Sequence, residues 1–308
     1  MGNAGIVYNL PSMSENAGTW TVRRLLEWTT PFFQRKGVDS PRLAAELLLG
    51  HVLTIPRIKL YTDYERQLDA GQLEAYRELV RRAAEEEPVA YLTGHAHFFN
   101  LEFEVTRDVL IPRPDTETLV ENVIQLVRRQ AGFESPRVLD LCTGSGCIAA
   151  AIAHNVKDAV VIATDISPAA VSLARKNLDR LGLSQRVTVE AGDLFAPLDR
   201  MVDRQPFQLL VANPPYIPTG QIPQLDRSVR EYEPLSALDG GLDGLAIHRR
   251  ILAESPSRLL PGAHVFLEIA FDQADLARRI TAEHPEFSDI RILKDQAGHD
   301  RVLTMRRG

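Results

Sequence analysis

The chain is poor in cysteine, has no excess of positive charge and contains no long apolar run, and each shortage removes a class of protein. Its 308 residues include two cysteines, Cys142 and Cys147, both in one short segment. They can build neither a disulfide framework nor the ligand set of a structural metal, so no metal site is expected and the thiols read as buried, reduced packing residues. A formal net charge of −6 does not suit a protein that grips long stretches of phosphate backbone, and stable nucleic-acid binding is not expected. No run of about 18 apolar residues occurs, so no membrane partner is expected. Residues 1–18 lack the basic region and apolar core of a secretory leader, and Ile6 stands where a myristoylation signal needs Ser or Thr; a cytoplasmic protein is the expectation. What remains is ordinary globular composition, 44% hydrophobic and 25% charged, on a chain long enough for two domains.

Residues 1–18 are rich in Gly, Ser and Asn without periodicity and read as a flexible N-terminal segment. A helical period governs 19–87. Val22, Leu25, Leu26 and Thr29 share one face; Ser40 and Pro41 read as an N-cap followed by proline at the first helical position, with Gly50 closing that helix. Asp69 and Gln72 have capping-box spacing and open a third helix with the stripe Leu73, Tyr76, Val80 and Ala83. At 88–112 the period changes. Leu101, Phe103 and Val105 alternate as in a strand of a hairpin linker. The sequence Ile111-Pro112-Arg113-Pro114 then imposes an extended approach to a helix bearing Leu119, Val120, Val123, Ile124 and Val127. From 113 to 308, strand-like runs at 138–141, 160–164, 187–190, 207–212 and 264–269 alternate with helical segments, the α/β pattern of a parallel sheet wrapped by helices. Two further candidates, 290–293 and 301–305, are expected as an antiparallel edge.

The first of these strands carries a ligand signature. Asp140 lies near its end, and Cys142-Thr143-Gly144-Ser145-Gly146 is a glycine loop opening a helix, where the backbone can approach a ligand closely and free N–H groups are available. Asp165 ends the next strand at the spacing from which a carboxylate reaches both hydroxyls of a ribose, and Asp193 follows the third strand at the same sheet edge. Glycine loop and acid fit either an NAD oxidoreductase or an S-adenosylmethionine enzyme. The acidic surround of Asp140, Asp165 and Asp193 suits a sulfonium cation better than a pyrophosphate. Each acid also reads plainly as an N-cap or a solvated strand end. His95, His97, His154 and His248 are scattered and read as structural or solvated.

Asn213-Pro214-Pro215-Tyr216 directly follows the run 207–212. A conjugated NH2 group is a poor nucleophile because its lone pair is delocalised, and it must be held and polarised to react. The Asn213 side-chain oxygen and the Pro214 carbonyl are two acceptors that can take both protons of such a group. The prolines stiffen the turn and leave carbonyls without local donors, and Tyr216 is placed to cover the flat face of the bound group. The same four residues also read as a simple turn. The glycine loop upstream favours the chemical reading.

With these motifs in place, the chain resembles the release-factor glutamine methyltransferases, the PrmC or HemK family. The resemblance extends to Leu110-Ile111-Pro112-Arg113-Pro114-Asp115-Thr116-Glu117, to Glu231-Tyr232-Glu233-Pro234 with the glycine-rich stretch 237–245, and to the closing segment 294–301. It implies a small all-helical N-terminal domain that helps dock the substrate protein, a β-hairpin linker and a seven-stranded Rossmann-like class I methyltransferase sheet. The implied substrate is the glutamine amide in the Gly-Gly-Gln motif of class I peptide chain release factors, and the implied cofactor is S-adenosyl-L-methionine. By position, Asp140, Cys142, Thr143, Gly144, Ser145, Gly146 and Asp165 would hold the methionine and ribose parts, Asp193 and Leu194 the adenine, and Asn213, Pro214, Pro215 and Tyr216 the glutamine amide, in an enzyme expected to be a monomer. Three residues depart from the family pattern: Cys142 replaces a usual loop glycine, Leu194 replaces the aromatic ring of some members, and Ala270 stands where glycine is common. The loop Cys142-Thr143-Gly144-Ser145-Gly146-Cys147-Ile148 is closer to a sister family acting on a ribosomal large-subunit protein. Adenine amino-methylation, an NAD oxidoreductase and a non-catalytic cofactor-binding scaffold are the remaining readings.

Overall fold

The computed structural model describes residues 19–308, so the segment expected to be flexible, 1–18, lies outside the described residues. The chain divides into two compact units between Thr93 and Gly94.

The first unit is helical, with α1 (Val22–Lys36), α2 (Pro41–Leu53), α3 (Arg57–Thr62), α4 (Ala70–Ala84) and α5 (Val89–Thr93). Amphipathic spacing builds it: Val22, Leu25, Leu26, Thr29 and Phe33 of α1 are buried, as are Tyr76, Val80 and Ala83 of α4. The Asp69–Gln72 capping box forms in both directions. Gly50 does not close α2. It is buried inside the helix, where a Cβ would come within 3.0 Å of the Ile55 carbonyl, and the helix runs on until Thr54 turns left-handed at φ 53°. Ser40 precedes Pro41 as expected but is itself left-handed and makes no side-chain cap. The short α5 packs against α2 and α4 and places Leu92 in their core, so the division falls at 93/94 where the sequence suggested 87/88.

The second unit opens with the hairpin β1 (His95–Phe98) and β2 (Leu101–Glu104), joined by Phe99 and Asn100, both at positive φ. Phe98, Leu101 and Phe103 enter the same core as Leu119, Val120 and Val123 of α6 (Glu117–Arg129), so the expected linker is an integral part of this unit. Then follow β3 (Arg137–Leu141), α7 (Cys147–Asn155), β4 (Val160–Asp165), α8 (Pro168–Arg180), β5 (Val187–Ala191), β6 (Phe207–Ala212), α9 (Arg227–Arg230), α10 (Ala246–Glu254), β7 (Leu259–Glu268), α11 (Ala274–Ala282), β8 (Phe287–Lys294) and β9 (Asp300–Arg307). The seven-stranded sheet has the order β5-β4-β3-β6-β7-β9-β8, with β9 antiparallel to both its neighbours. The two edges are β5 and β8, and β9 pairs with β7, between β7 and β8. Side chains alternate between two cores. Val138, Val161, Leu209 and Val211 face α6 and α7, while Leu139, Leu141, Ile162 and Leu210 face α10 and α11. Both faces are covered, as the apolar runs require.

This topology creates the site. The chain passes from β3 outward to β4 and β5, then returns to place β6 on the other side of β3. Leu141 is level with Thr164 of β4 and Ala212 of β6. Residues after these three strands therefore emerge in one row, about 5 Å apart per strand, at the switch point where open α/β sheets bind ligands.

Candidate active site

The loop after β3 is shaped by backbone rather than by side chains. Cys142, Gly144 and Gly146 have φ of 59°, 54° and 81°. A Cβ on Gly146 would lie 3.2 Å from that of Ala174 in α8, whereas one on Gly144 would meet nothing within 4 Å. The first glycine leaves room in the cavity and the second allows close helix packing. The Gly144 amide donates to Asp165 Oδ2 at 2.8 Å and the Ser167 amide donates to Oδ1 at 2.9 Å. Burial raises the Asp165 pKa against these two hydrogen bonds. Asn177 of α8 fixes the loop from behind, donating to the carbonyls of Ser145 and Glu104 and accepting from the Glu104 amide.

A cavity of about 230 Å³ sits over the row of strand ends. Cys142, Thr143, Gly144, Ser145, Asp165, Asp193, Leu194, Asn213 and Pro215 all line it; Asp140, Gly146, Pro214 and Tyr216 do not. Asp140 is fully buried beneath the loop, where its carboxyl accepts from the Thr143 hydroxyl at 2.6 Å and burial pushes its pKa up to about 7. It braces the loop from beneath and does not line the cavity. Asp193 does reach the cavity, but Arg250 of α10 holds it with two hydrogen bonds of 3.0 and 2.8 Å. The expected acidic surround therefore reduces to Asp165, joined by Asp108 and Asp239 on the lining. Leu194 turns left-handed at φ 45°, and its carbonyl accepts from Thr164. Burial raises the Cys142 and Cys147 thiol pKa values, the latter to about 12, which removes both as nucleophiles.

At the end of β6, Asn213 Nδ2 donates to Thr116 Oγ1 at 3.2 Å. Its Oδ1 is left as an acceptor on the cavity lining. Among the described residues no backbone amide donates to the buried Pro214 carbonyl. Tyr216 points away from the cavity: its hydroxyl donates to Glu268 Oε1 at 3.3 Å, and its carbonyl accepts from Gln273 Nε2 at 2.8 Å. These two hydrogen bonds anchor the turn. The stretch 237–245 clamps the turn from outside, with the Ile217 amide on the Leu238 carbonyl at 3.0 Å and the Gly240 amide on the Ile217 carbonyl at 2.9 Å. Gly244, at φ 81°, lies so close that a Cβ would collide with the Tyr216 carbonyl and Gln273 Nε2. Arg113 pairs at 2.5 Å with Glu233, a buried carboxylate, and ties the segment before α6 to the segment after the turn.

Arg250, Thr116, Arg113, Asp108 and Asp239 are site residues that the sequence alone did not single out. Arg113 and Thr116 lie in the segment 110–117, and Asp239 in 237–245, both part of the family resemblance but given no role by it, and nothing in residue spacing brings Arg250 to Asp193.

The PrmC N-terminal domain family matches residues 24–94 and the methyltransferase small domain family matches 115–225. A release factor glutamine methyltransferase of Rhodopirellula baltica is 42% identical over 96% of this chain and 99% of its own length. One of Geobacter sulfurreducens is 41% identical over 96% and 100%. Among solved structures, the hMettl16 catalytic domain in complex with a MAT2A 3'UTR hairpin superposes with a TM-score of 0.53 at 16% identity, over 68% of this chain and 76% of that one, a likeness of fold. No helix among the described residues is long and apolar enough to cross a membrane. Identity of this extent over the whole length of its relatives means that the chain is a methyltransferase and belongs to the release factor glutamine methyltransferase family.

Proposed function

We propose that this enzyme methylates the side-chain amide nitrogen of the glutamine in the Gly-Gly-Gln motif of class I peptide chain release factors, with S-adenosyl-L-methionine as methyl donor. The observation that carries the reading is the orientation of Asn213: Thr116 occupies its NH2 end, so its oxygen is the end available to a planar NH2 group. The Pro214 carbonyl, between the lining residues Asn213 and Pro215 and without a backbone donor among the described residues, is the second acceptor of the pair although Pro214 itself is not on the lining. Hydrogen bonds from the substrate nitrogen to these oxygens strengthen as that nitrogen becomes positive, so they favour the transition state over the ground state.

The residues across the cavity fit the cofactor. Gly144 leaves open space above the backbone, Asp165 retains lone pairs beyond its two backbone bonds for ribose hydroxyls, and Leu194 with Ile247 offers an apolar wall for a base. Asp193, neutralised by Arg250, serves as a hydrogen-bond acceptor rather than as a countercharge. When bound, S-adenosyl-L-methionine would supply an electrophilic methyl group on a sulfonium; direct in-line transfer to the amide nitrogen would release the neutral thioether and one amide proton, with no covalent enzyme intermediate. The helical unit is assigned to docking of the release factor, and the enzyme acts as a monomer.

Incubation with labelled S-adenosyl-L-methionine and, in parallel, a release factor, a ribosomal large-subunit protein or DNA tests the reading. Mass spectrometry should place one methyl group on the Gly-Gly-Gln glutamine. Label on the ribosomal protein or DNA with the release factor untouched refutes the substrate assignment. Saturable binding of NAD in place of S-adenosyl-L-methionine refutes the cofactor.

A further inference from the structure

We infer that Arg301 is a positioning residue for the reaction proposed above: from the strand after the β8–β9 turn it holds the proline-flanked segment 113–116 in place, and through Thr116 it holds the Asn213 amide. The inference rests on the amide-methylating reading and adds to it a part that does not line the cavity.

The sequence of that segment removes much of its own support. Pro112 and Pro114 carry no N–H to donate. Pro114–Thr116 is a single 3-10 turn, and such turns have poorer hydrogen-bond geometry than an α-helix. A bond of 3.2 Å from the Thr116 amide to the Arg113 carbonyl closes it. Side chains supply the remaining tethers. Arg113 pairs with Glu233 at 2.5 Å, the Glu117 carboxylate accepts from the Phe99 amide at 2.7 Å, and between them Asp115 meets Arg301 at 3.1 Å. Thr116, 2% exposed, sits among these tethers and accepts from Asn213 Nδ2 at 3.2 Å. That length is at the outer end of the normal range, so a displacement of Thr116 by about 0.5 Å breaks the bond. Asn213 is then free to turn its NH2 toward the cavity and set donor against donor.

Arg301 is itself firmly held. Its Nε and Nη2 donate to Asp295 Oδ2 at 3.3 and 3.2 Å, and Nη2 also reaches Asp115 Oδ2. Asp295 Oδ1 accepts from the amides of Ala297 and His299 at 3.0 and 2.9 Å, which locks the carboxylate into the β8–β9 turn. The Arg301 carbonyl accepts from the Ile269 amide at 2.9 Å, so backbone and guanidinium are both anchored. Arg301 and Asp295 are each 8% exposed. A buried ion pair adds little net stability over an apolar filling, so stability is a weak account of this one. A planar fork that spans two carboxylates gives fixed geometry.

The Asp115 side chain is 53% exposed, so Asp115→Asn cuts the bridge without emptying the core. It should lower kcat on a release factor by roughly 10-fold, with KM and S-adenosylhomocysteine affinity by calorimetry unchanged. The melting temperature should fall by less than about 4 °C, the effect of one half-exposed ion pair. Asp115→Glu keeps the carboxylate and should recover kcat to within about 3-fold of wild type. In an Asn213→Ala background, Asp115→Asn should cost less than about 2-fold, because the bridge has nothing left to aim. Arg301→Lys keeps a charge for Asp295 but cannot span both acids; it should lose kcat as Asp115→Asn does, and the two changes together should cost no more than the larger one alone. Asp199→Asn removes a 2.6 Å pair with Arg258, neither of which lines the cavity, and should shift melting comparably while leaving kcat unchanged. Wild-type kcat in Asp115→Asn, no recovery with glutamate, an equal loss in the Asn213→Ala background, full additivity with Arg301→Lys, or a matching kcat loss in Asp199→Asn overturns the inference. If Arg301→Lys does not fold, the Asp115 variants decide it. A wild-type enzyme inactive on release factors sinks the proposed function instead, an outcome distinct from these.

Discussion

The loop after β3 and the turn after β6 stand side by side on the sheet, and they are held in opposite ways. The glycine loop is fixed mostly by nearer neighbours: Thr143 bonds Asp140 three residues away, Gly144 bonds Asp165 across 21, and Asn177 holds Ser145 across 32. The Asn213 turn is fixed from afar, with Thr116 at a separation of 97 residues, Gln273 at 57 and Glu268 at 52. The first is a backbone cradle that tolerates changes of side chain wherever φ permits them. The second is a side-chain device whose precision depends on four other elements. A cofactor common to many enzymes needs only the former, whereas aiming one particular amide needs the latter.

If that contrast holds, the largest effect belongs to the side-chain device. Asn213→Ala should lower kcat by roughly 100- to 1,000-fold, the usual cost of removing one preorganised polar group from a transition state. S-adenosyl-L-methionine affinity should be unchanged by calorimetry, and turnover equal to wild type would remove Asn213 from the chemistry. Next comes the clamp. A Cβ at Gly244 meets backbone on a left-handed residue, so Gly244→Ala should destabilise the fold by about 1–3 kcal/mol and reduce kcat more than cofactor affinity. Denaturant unfolding paired with calorimetry checks both halves, and a loss confined to cofactor binding would contradict the clamp's assignment to the turn.

A smaller, pH-dependent effect probes the cradle. Burial raises the Asp140 pKa to about 7; the Thr143 hydroxyl and the Ala149 amide oppose that shift and the Asp165 charge adds to it. An unfolded aspartate titrates near 4. Folding therefore favours the protonated form, and the stability from this group is present below about pH 4 and lost as pH rises through about 7. Asp140→Asn mimics the protonated carboxyl at every pH. Its melting temperature relative to wild type should rise between pH 5 and pH 8, and a flat or falling difference would show that Asp140 is ionised in the fold.

The contrast also explains what was legible in the sequence. Strands β3, β4 and β6 announced themselves because both their faces are buried, and β5 by alternation; the glycine loop could be read because Asp140 and Asp165 lie within one βαβ unit. The surroundings of Asp140 and Asp193 could not be read from spacing. Strand alternation turns Asp140 inward, and Asp193 meets Arg250, 57 residues on, only after α10 has packed. Gly50 looked like a helix end because glycine usually is one, but Leu49 and Leu53 still needed burial and the helix continued. The last two strands do form the expected antiparallel edge, but β9, the later of the two, is the one that pairs with β7, an order only tertiary packing decides. The hydrogen bond from Asn213 to Thr116 joins two segments whose motifs were visible separately, with no sign that they meet.

Cys142 offers the finest test, because it stands at φ 59° in a loop said to depend on backbone alone. A left-handed conformation costs an L-residue roughly 1–2 kcal/mol, which glycine would avoid. Glycine in turn gives up about 0.5–1 kcal/mol of chain entropy on folding, and the half-buried thiol packs against the apolar cluster of Leu139 and Leu141. These terms oppose one another, so Cys142→Gly should change unfolding stability by less than about 1 kcal/mol and cofactor affinity by less than about 3-fold. Urea unfolding and calorimetry measure both. A larger loss of affinity would mean that the thiol itself shapes the cradle, and the line drawn between a backbone-built edge and a side-chain-built edge would have to move.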